Sequence, residues 1–353
     1  MRISKFILMV LIGTLFSLAG CVNNSKNADM PAGFNEEIAL TADSIEISVV
    51  IKAGNIFRAD PYIVVSDMEH ADGMHFAVFN DSLRYLYSFC PYGSGPEECL
   101  MPTVVKNMPE NQFMVRDHSN NCYHSYILTD SGALSDKTFR VRDFSPYESV
   151  FEANFVDDNR YLIKGMSPRK SVRRLVDLES QLVLDTISPT FNLKEIMGSD
   201  YYSEFDDFWM VVNNNNFACA YYFINRIELG HIVGDKLEMY KYWGADTPPD
   251  FYRYTDEKLT GKYEYNVDYN TVYYEWLFGT DDFVYASYFG QPWGDIKLHS
   301  RIIEIYKYSG DPIMKCNLDV PVSSFVVLND NKIVGINPER SDDYFYCYTL
   351  KQH

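Results

Sequence analysis

The residues with chemical reach are few, and each stands in a context that can be read. The stretch "RDHSNNCYH" places Asp117, His118, Cys122 and His124 within one short span. Those are the residue types of a zinc site, which takes thiolate, imidazole and carboxylate ligands. The same stretch is also two apolar runs joined by an Asx-rich turn, and related turns elsewhere carry Asp and Asn without His or Cys. The turn accounts for Asp117 without a metal, so the sequence reading assigns no metal ligand and no cofactor. Acidic pairs occur at Asp157, Asp206 and Asp281. Paired carboxylates serve glycosidases and calcium sites. Here Asp157 and Asp281 fall in tight turns and Asp206 leads into a strand, so no catalytic residue is assigned. There is no G-x-S-x-G elbow. A triad assembled only in space would leave no spacing to read. The Gly-rich stretch "GSGPEE" invites comparison with a phosphate loop. Such a loop needs Lys-Ser/Thr opening a helix, whereas Glu97 and Glu98 stand here and would repel phosphate. Gly93, Gly95 and Pro96 instead suit a sharp corner between structural units.

The elements around these residues are strands. The chain of 353 residues contains 28 Tyr and 23 Phe, which together with Val and Ile favour pleated, packed surfaces. A recurring unit consists of an apolar run, a tight Asp/Asn turn and a second apolar run. It is read near Phe113, Asn154, Phe208, Trp276 and Ser324. Second hairpins follow, as in "RRLVDLESQLVLDTI" and "RIELGHIVGDKLEMYKYW". An earlier unit comprises "NIFRA", "YIVVSD", "HFAVFN" and "LRYLYSFC". Two hairpins make a four-stranded blade, and the spacing fits propeller repeats. The expected fold is all-β, a six-bladed β-propeller. Its last unit, "SFVVLN", "KIVGIN" and "YFYCYTL", is one strand short. The unpartnered "SIEISVVI", Ser44 to Ile51, is expected to complete that blade and close the ring, removing two exposed edges.

The N-terminus reads as an address. Arg2 and Lys5 precede an apolar run, Phe6 to Leu18, too short to span a bilayer and proportioned as a secretory signal. It ends in "LAGC", which resembles the bacterial lipobox; the resemblance implies cleavage and lipidation at Cys21. The expected organisation is a signal peptide over 1–20, a lipidated Cys21 and polar tether over 21–43, and the propeller over 44–353. By the sorting rule of enterobacterial lipoproteins, Val22 in place of aspartate implies the outer membrane. The acidic cluster that surface-exported Bacteroides-type lipoproteins carry after the cysteine is missing, which implies a periplasm-facing position, with the cell surface as the alternative. The formal net charge is −18, and becomes −20 without residues 1–20, which carry Arg2 and Lys5 and no acid. Such a polyanion is repelled by nucleic acid and by anionic headgroups. Of the remaining six cysteines, Cys90 and Cys99 flank the Gly-rich corner and form the one local pair placed for a disulfide; Cys219 and Cys347 lie in apolar runs and read as buried thiols.

"GSGPEE", with Gly93, Gly95, Pro96 and Glu98, resembles the G-x-G-P-x-E interblade motif of TolB-like six-bladed propeller lipoproteins of Bacteroides and relatives. The ending "RIIEIYKYSGDPIMKCNLDVPVSSFVVLNDNKIVGI" is similar to that family's ending, while Glu97 stands where many members carry glycine. The resemblance implies fold and location and no reaction. Longer loops are expected on one face of the ring, where binding commonly resides. Trp243, Tyr252, Arg253, Tyr254 and Trp293 on those loops are the expected binding residues, since aromatic rings beside Arg hold sugars or peptides by stacking and hydrogen bonding. The function expected is a lipid-anchored envelope module that binds a protein, peptide or glycan. The alternative is an enzyme acting on glycan or peptide.

Overall fold

The computed structural model describes residues 33–140, 149–157, 159–167, 170–190, 207–245, 253–254, 264–265, 271–292, 299–337 and 341–350. Every regular element among them is a β-strand. The strands fall into antiparallel units of four. The first unit comprises β3 (Ala53–Ala59), β4 (Tyr62–Asp67), β5 (Met74–Phe79) and β6 (Tyr85–Pro91). The second comprises β7 (Pro102–Lys106), β8 (Gln112–Asp117), β9 (Cys122–Thr129) and β10 (Gly132–Arg140). The third runs through β11 (Ser149–Asp157), β12 (Arg160–Ser167), β13 (Lys170–Asp177) and β14 (Leu182–Ile187). The second and third units share one sheet, because β7 and β11 pair in parallel at Val105 with Ala153 and Lys106 with Asn154. The fourth unit is β15 (Phe208–Asn213), β16 (Asn216–Tyr221), β17 (Arg226–Val233) and β18 (Lys236–Gly244). A two-stranded ribbon, β19 (Arg253–Tyr254) with β20 (Glu264–Tyr265), follows it. The fifth unit is β21 (Thr271–Gly279), β22 (Phe283–Pro292), β23 (Ser300–Lys307) and β24 (Pro312–Val322). The last has three strands from the C-terminal part, β25 (Ser324–Leu328), β26 (Lys332–Asn337) and β27 (Ser341–Thr349).

The core explains why strands such as "YIVVSD" are apolar on both faces. Side chains alternate across a strand, and each unit here is covered on both sides. Ile63 and Val65 of β4 join a cluster with Val326, Val334 and Phe345 of the last unit. Tyr62 and Val64, the alternate residues, join a cluster with Val104, Phe113 and Tyr126 of the second. Further clusters lie between second and third units around Tyr123 and Tyr161, and between third and fourth around Leu175 and Phe217. Two more lie between fourth and fifth around Val211 and Tyr306, and between fifth and last around Trp276 and Tyr348. Each unit therefore packs on the next, and the last packs on the first. The fold is a β-propeller.

The closing strand lies beside the last strand, as expected, but is shorter than Ser44–Ile51: residues 47–51 leave the ladder. β2 (Asp43–Glu46) pairs antiparallel with β27, Ser44 opposite Tyr346 and Ile45 opposite Phe345. Two expectations are corrected. Residues 36–40, assigned to the tether, form β1 (Glu36–Leu40), which adds in parallel to β24 as a fifth strand. Its alternation explains this: Ile38 and Leu40 turn inward onto the cluster holding Cys316 and Leu318. The turn after Asp117 is also not a counterpart of the turns near Asn154, Phe208, Trp276 and Ser324. Those join first and second strands, whereas Asp117 and Cys122 are opposed across the hairpin of the second and third strands. The unit's first strand is the short "PTVVK", Pro102–Lys106, which the reading passed over.

Candidate functional site

The first strands β3, β7, β11, β15, β21 and β25 stand around the central axis. Where they turn into their second strands, a cavity of about 390 Å3 opens. Its polar lining comes from five units: Arg58 and Asp60, Lys106 and Asn107, Asn213, Thr280 and Asp281, and Asn329 and Asp330. Phe57, Trp276 and Phe278 supply apolar walls. The turn residues are Asx because their backbones need it. Asn107, Asn214, Asn215, Asn329 and Asp330 all have positive φ, between 46° and 64°, a region that Asn and Asp tolerate better than other side chains. A ring of turns selected for that geometry therefore rims the axis with carboxamides and carboxylates.

These groups are held in place. Arg58 donates to Asp81 at 2.6 Å and to Asp60 at 2.5 Å. Asp281 accepts from the side-chain amides of Asn213 at 3.3 Å and Asn214 at 3.2 Å. Asn107 donates to Asn154 Oδ1 at 3.1 Å and to the Val212 carbonyl at 2.6 Å, tying three units together. Deeper, Lys106 Nζ pairs with Glu152 Oε1 at 2.5 Å. The same ammonium lies 4.5 Å from the Trp276 ring centroid and 5.2 Å from that of Trp209. Glu152 Oε2 accepts the Met210 N–H at 3.0 Å, and the Trp276 indole donates to the Phe325 carbonyl at 2.9 Å. Lys106 and Trp276 thus line the cavity, and the ammonium is also held by Trp209 and neutralised by the buried Glu152 carboxylate.

The "GSGPEE" stretch is a corner. It joins β6 to β7 and is pinned by Cys99 N–H to the Pro91 carbonyl at 2.9 Å and Gly93 N–H to the Cys99 carbonyl at 3.0 Å. Glu98 curls back to accept the Gly95 N–H at 2.7 Å. A Cβ on Gly93 would sit 2.0 Å from Glu98 Oε2, so only glycine admits that carboxylate. Pro96 lies in the same turn. Of the residues expected to bind, Trp243 is 3% exposed. Its ring lies 4.4 Å from that of Tyr306 within the cluster between fourth and fifth units, so it packs and does not face a ligand. Arg253 and Tyr254 form β19. Tyr252, Trp293 and Cys21 lie outside the described residues, so the long-loop face is described only in part. Cys90 and Cys99 are free, buried thiols. Burial keeps His75, His118 and His124 below the usual imidazole range.

Sequence reasoning missed the Lys106, Glu152, Trp209 and Trp276 group. Its members come from four strands in four units and share no motif. The available signal was only that each sits in the first strand of a repeat.

No family model matches the sequence, and no curated protein matches it. Solved structures do. A protein from Bacteroides fragilis NCTC 9343 inferred to be exported superposes with a TM-score of 0.56 at 14% identity, over 90% of this chain and 100% of that one. The β-propeller domain of Cps50 (Swd1) from Myceliophteria thermophila gives 0.51 at 5% identity, over 88% and 100%. Raptor from Chaetomium thermophilum gives 0.47 at 10% identity; this chain spans 94% of its own length and 30% of Raptor, a likeness too loose to bear on function. Identities this low carry fold and no activity: what the first two likenesses and the sheet order establish together is a β-propeller.

Proposed function

We propose that this chain is a cell-envelope propeller that binds a polar ligand, a peptide or glycan segment, at the mouth of its central axis without transforming it. The observation that carries this reading is the composition of the cavity. Its described polar lining offers carboxylates, carboxamides, one guanidinium, one ammonium and one hydroxyl, with no Ser, His or Cys among them. Those groups suit hydrogen bonding to hydroxyls and amides, with Phe57, Trp276 and Phe278 as apolar walls. Asp60, Asp281, Asp330 and Thr280 are also residue types that serve in catalysis, so the cleavage assay below separates binding from turnover. We read each four-strand unit as a blade, giving six blades, in keeping with the TolB-like lipoprotein family that "GSGPEE" resembles. Anchoring through a lipid on Cys21 and an outer-membrane, periplasm-facing position belong to the same reading. The likeness to a protein inferred to be exported supports it. The long-loop face, with Tyr252, Arg253, Tyr254 and Trp293, is the second surface on which a partner could dock.

The test is recovery of partners from the native envelope by the anchored protein, compared with Asn213→Ala/Asp281→Ala and with Arg253→Ala/Trp293→Ala. Loss of a specific partner with the first pair supports the cavity. Loss with the second pair alone moves the site to the long-loop face. Release of cleaved fragments from a bound peptide or glycan would overturn the non-catalytic reading.

A further inference from the structure

The Asp117–Cys122 hairpin acquires a new neighbour in the fold. Cys99 arrives from the interblade corner, distant in sequence, and its sulfur converges with Asp117 and His124. One ligand atom from each of these three side chains lies within 4.8 Å of the other two. Cys122 Sγ lies 3.1 Å from His124 Nε2. We propose that Cys99, Cys122, His124 and Asp117 form a structural zinc site that staples the corner between the first and second units to the β8–β9 hairpin.

The geometry follows from strand chemistry. Asp117 and Cys122 are directly opposed across the hairpin, so their side chains leave the same face of the sheet. Cys122 and His124 are two residues apart on β9, which returns the imidazole to that face. All four residues are buried: Cys99 and Asp117 at 0%, His124 at 4% and Cys122 at 6% exposure. That burial matches a closed, four-ligand site and not a catalytic one with an open position. Zinc bonds of about 2.0–2.3 Å set tetrahedral ligand atoms about 3.3–3.8 Å apart. The Cys99, Asp117 and His124 ligand atoms, all within 4.8 Å of one another, would draw together around the ion; Cys122 stands outside that trio and would join as fourth ligand by turning its sulfur, now 3.1 Å from His124 Nε2, toward the same point.

Groups that would orient the ligands are already in place. His124 Nδ1 meets Thr138 Oγ1 at 3.2 Å, the outer contact that orients a ligating imidazole and turns Nε2, now beside Cys122 Sγ, toward the metal position. Asp117 is aimed by Ser119 N–H at 3.0 Å and the Asn120 amide at 2.6 Å. Its contacts from Leu100 N–H at 3.4 Å and Met101 N–H at 3.3 Å are long, one on each carboxylate oxygen. Cys99 is fixed on three sides: its N–H bonds the Pro91 carbonyl, and its carbonyl bonds Gly93 N–H and His75 Nε2, the last at 2.6 Å. Two thiolates and a carboxylate leave a bound Zn2+ with a net charge of minus one, and Arg140, opposite Cys122 in the ladder, offsets it. Soft sulfur ligands beside imidazole favour zinc over magnesium or calcium.

The test uses the reduced full-length protein titrated with Co2+ and then Zn2+. One equivalent of Co2+ should bind, producing a sulfur-to-cobalt charge-transfer band and intense tetrahedral d–d bands. Zn2+ should displace it and raise the melting temperature. Cys99→Ser and Cys122→Ser should each abolish the charge-transfer band or weaken binding at least about tenfold. Thr138→Val should weaken it by about 10–100-fold, and Cys316→Ser, remote from the site, should leave it unchanged. Circular dichroism of each apo variant separates lost ligation from lost folding. A folded, reduced wild type that takes up no Co2+ overturns the proposal. So does a charge-transfer band that survives both cysteine changes, or a Cys90–Cys99 disulfide that resists reduction and holds Cys99 out of reach.

Discussion

Replacing Lys106 with Met removes the cation at the floor of the axial cavity and retains most of the volume. The structure sets the consequence. Lys106 and Glu152 are 12% and 6% exposed in their side chains, and they are 2.5 Å apart. Without the ammonium, the Glu152 carboxylate keeps the Met210 N–H as its named partner at 3.0 Å. Breaking a buried pair by removing one partner costs about 3–5 kcal/mol. The residual exposure of Lys106 toward the cavity places this case at the low end, about 3 kcal/mol. The two cation–ring contacts are worth about 0.5–1 kcal/mol each. A methionine sulfur against the same indoles recovers a comparable amount, so the charge term dominates. Removing both charges, in Lys106→Met/Glu152→Leu, should leave only the Met210 N–H without its acceptor, about 1–3 kcal/mol. The double variant should therefore be no less stable than Lys106→Met, and its loss should fall well below the sum of the two single losses. Urea unfolding, followed by far-ultraviolet circular dichroism and by tryptophan emission, measures both quantities. Trp209 and Trp276 should also change emission in the folded single variant. A Lys106→Met protein within about 0.5 kcal/mol of wild type, a size ordinary for surface substitutions, would refute the reasoning. Losses that simply add in the double variant would refute it as well, since contacting residues are expected to couple.

Two further outcomes follow from buried groups and edges. A chain begun after Glu46 lacks β1 and β2 and uncovers the edges of both β24 and β27; it should melt earlier and self-associate through those edges, as read by calorimetry and size-exclusion chromatography, and a monomer of unchanged melting temperature would count against the closure. Burial raises the Glu304 carboxyl above its ordinary 4.5 although Tyr306 and Tyr274 donate to it, so the folded chain keeps a proton that the unfolded chain has released; the stability this contributes should be present below pH 4.5 and lost as pH rises through the raised folded value, and Glu304→Gln should flatten that part of a melting-temperature-against-pH profile, with an unaltered slope refuting the assignment.

Much of the fold is legible without coordinates because period and turn chemistry are local. "YIVVSD", "KIVGIN" and "FACAYY" are apolar on both faces, and Asx turns separate them. A strand missing at the C-terminus and one spare near Ser44 follow from counting. The misreadings also have local causes. "PTVVK" is short and opens on a proline, so the pattern phases the second unit one strand late and likens its Asp117 hairpin to turns between first and second strands. "EEIAL" begins with two glutamates and looks solvated, yet Ile38 and Leu40 alternate inward. Trp243 ends a strand whose next residues look like a loop, but its ring points into the gap between units.

By itself the sequence determined the all-β repeat, the turn positions, the corner at Gly93 and Gly95 and the acidic charge, since each depends on neighbours within a few residues. Tertiary structure alone decided which side chains meet: Lys106 with Glu152 and two indoles, and Cys99 with Asp117 and His124. The first encounter is made by units packing around a ring, and the second by a corner folding back onto the hairpin that follows it. Neither has a fixed spacing in the sequence, so only the folded sheets determine the distances.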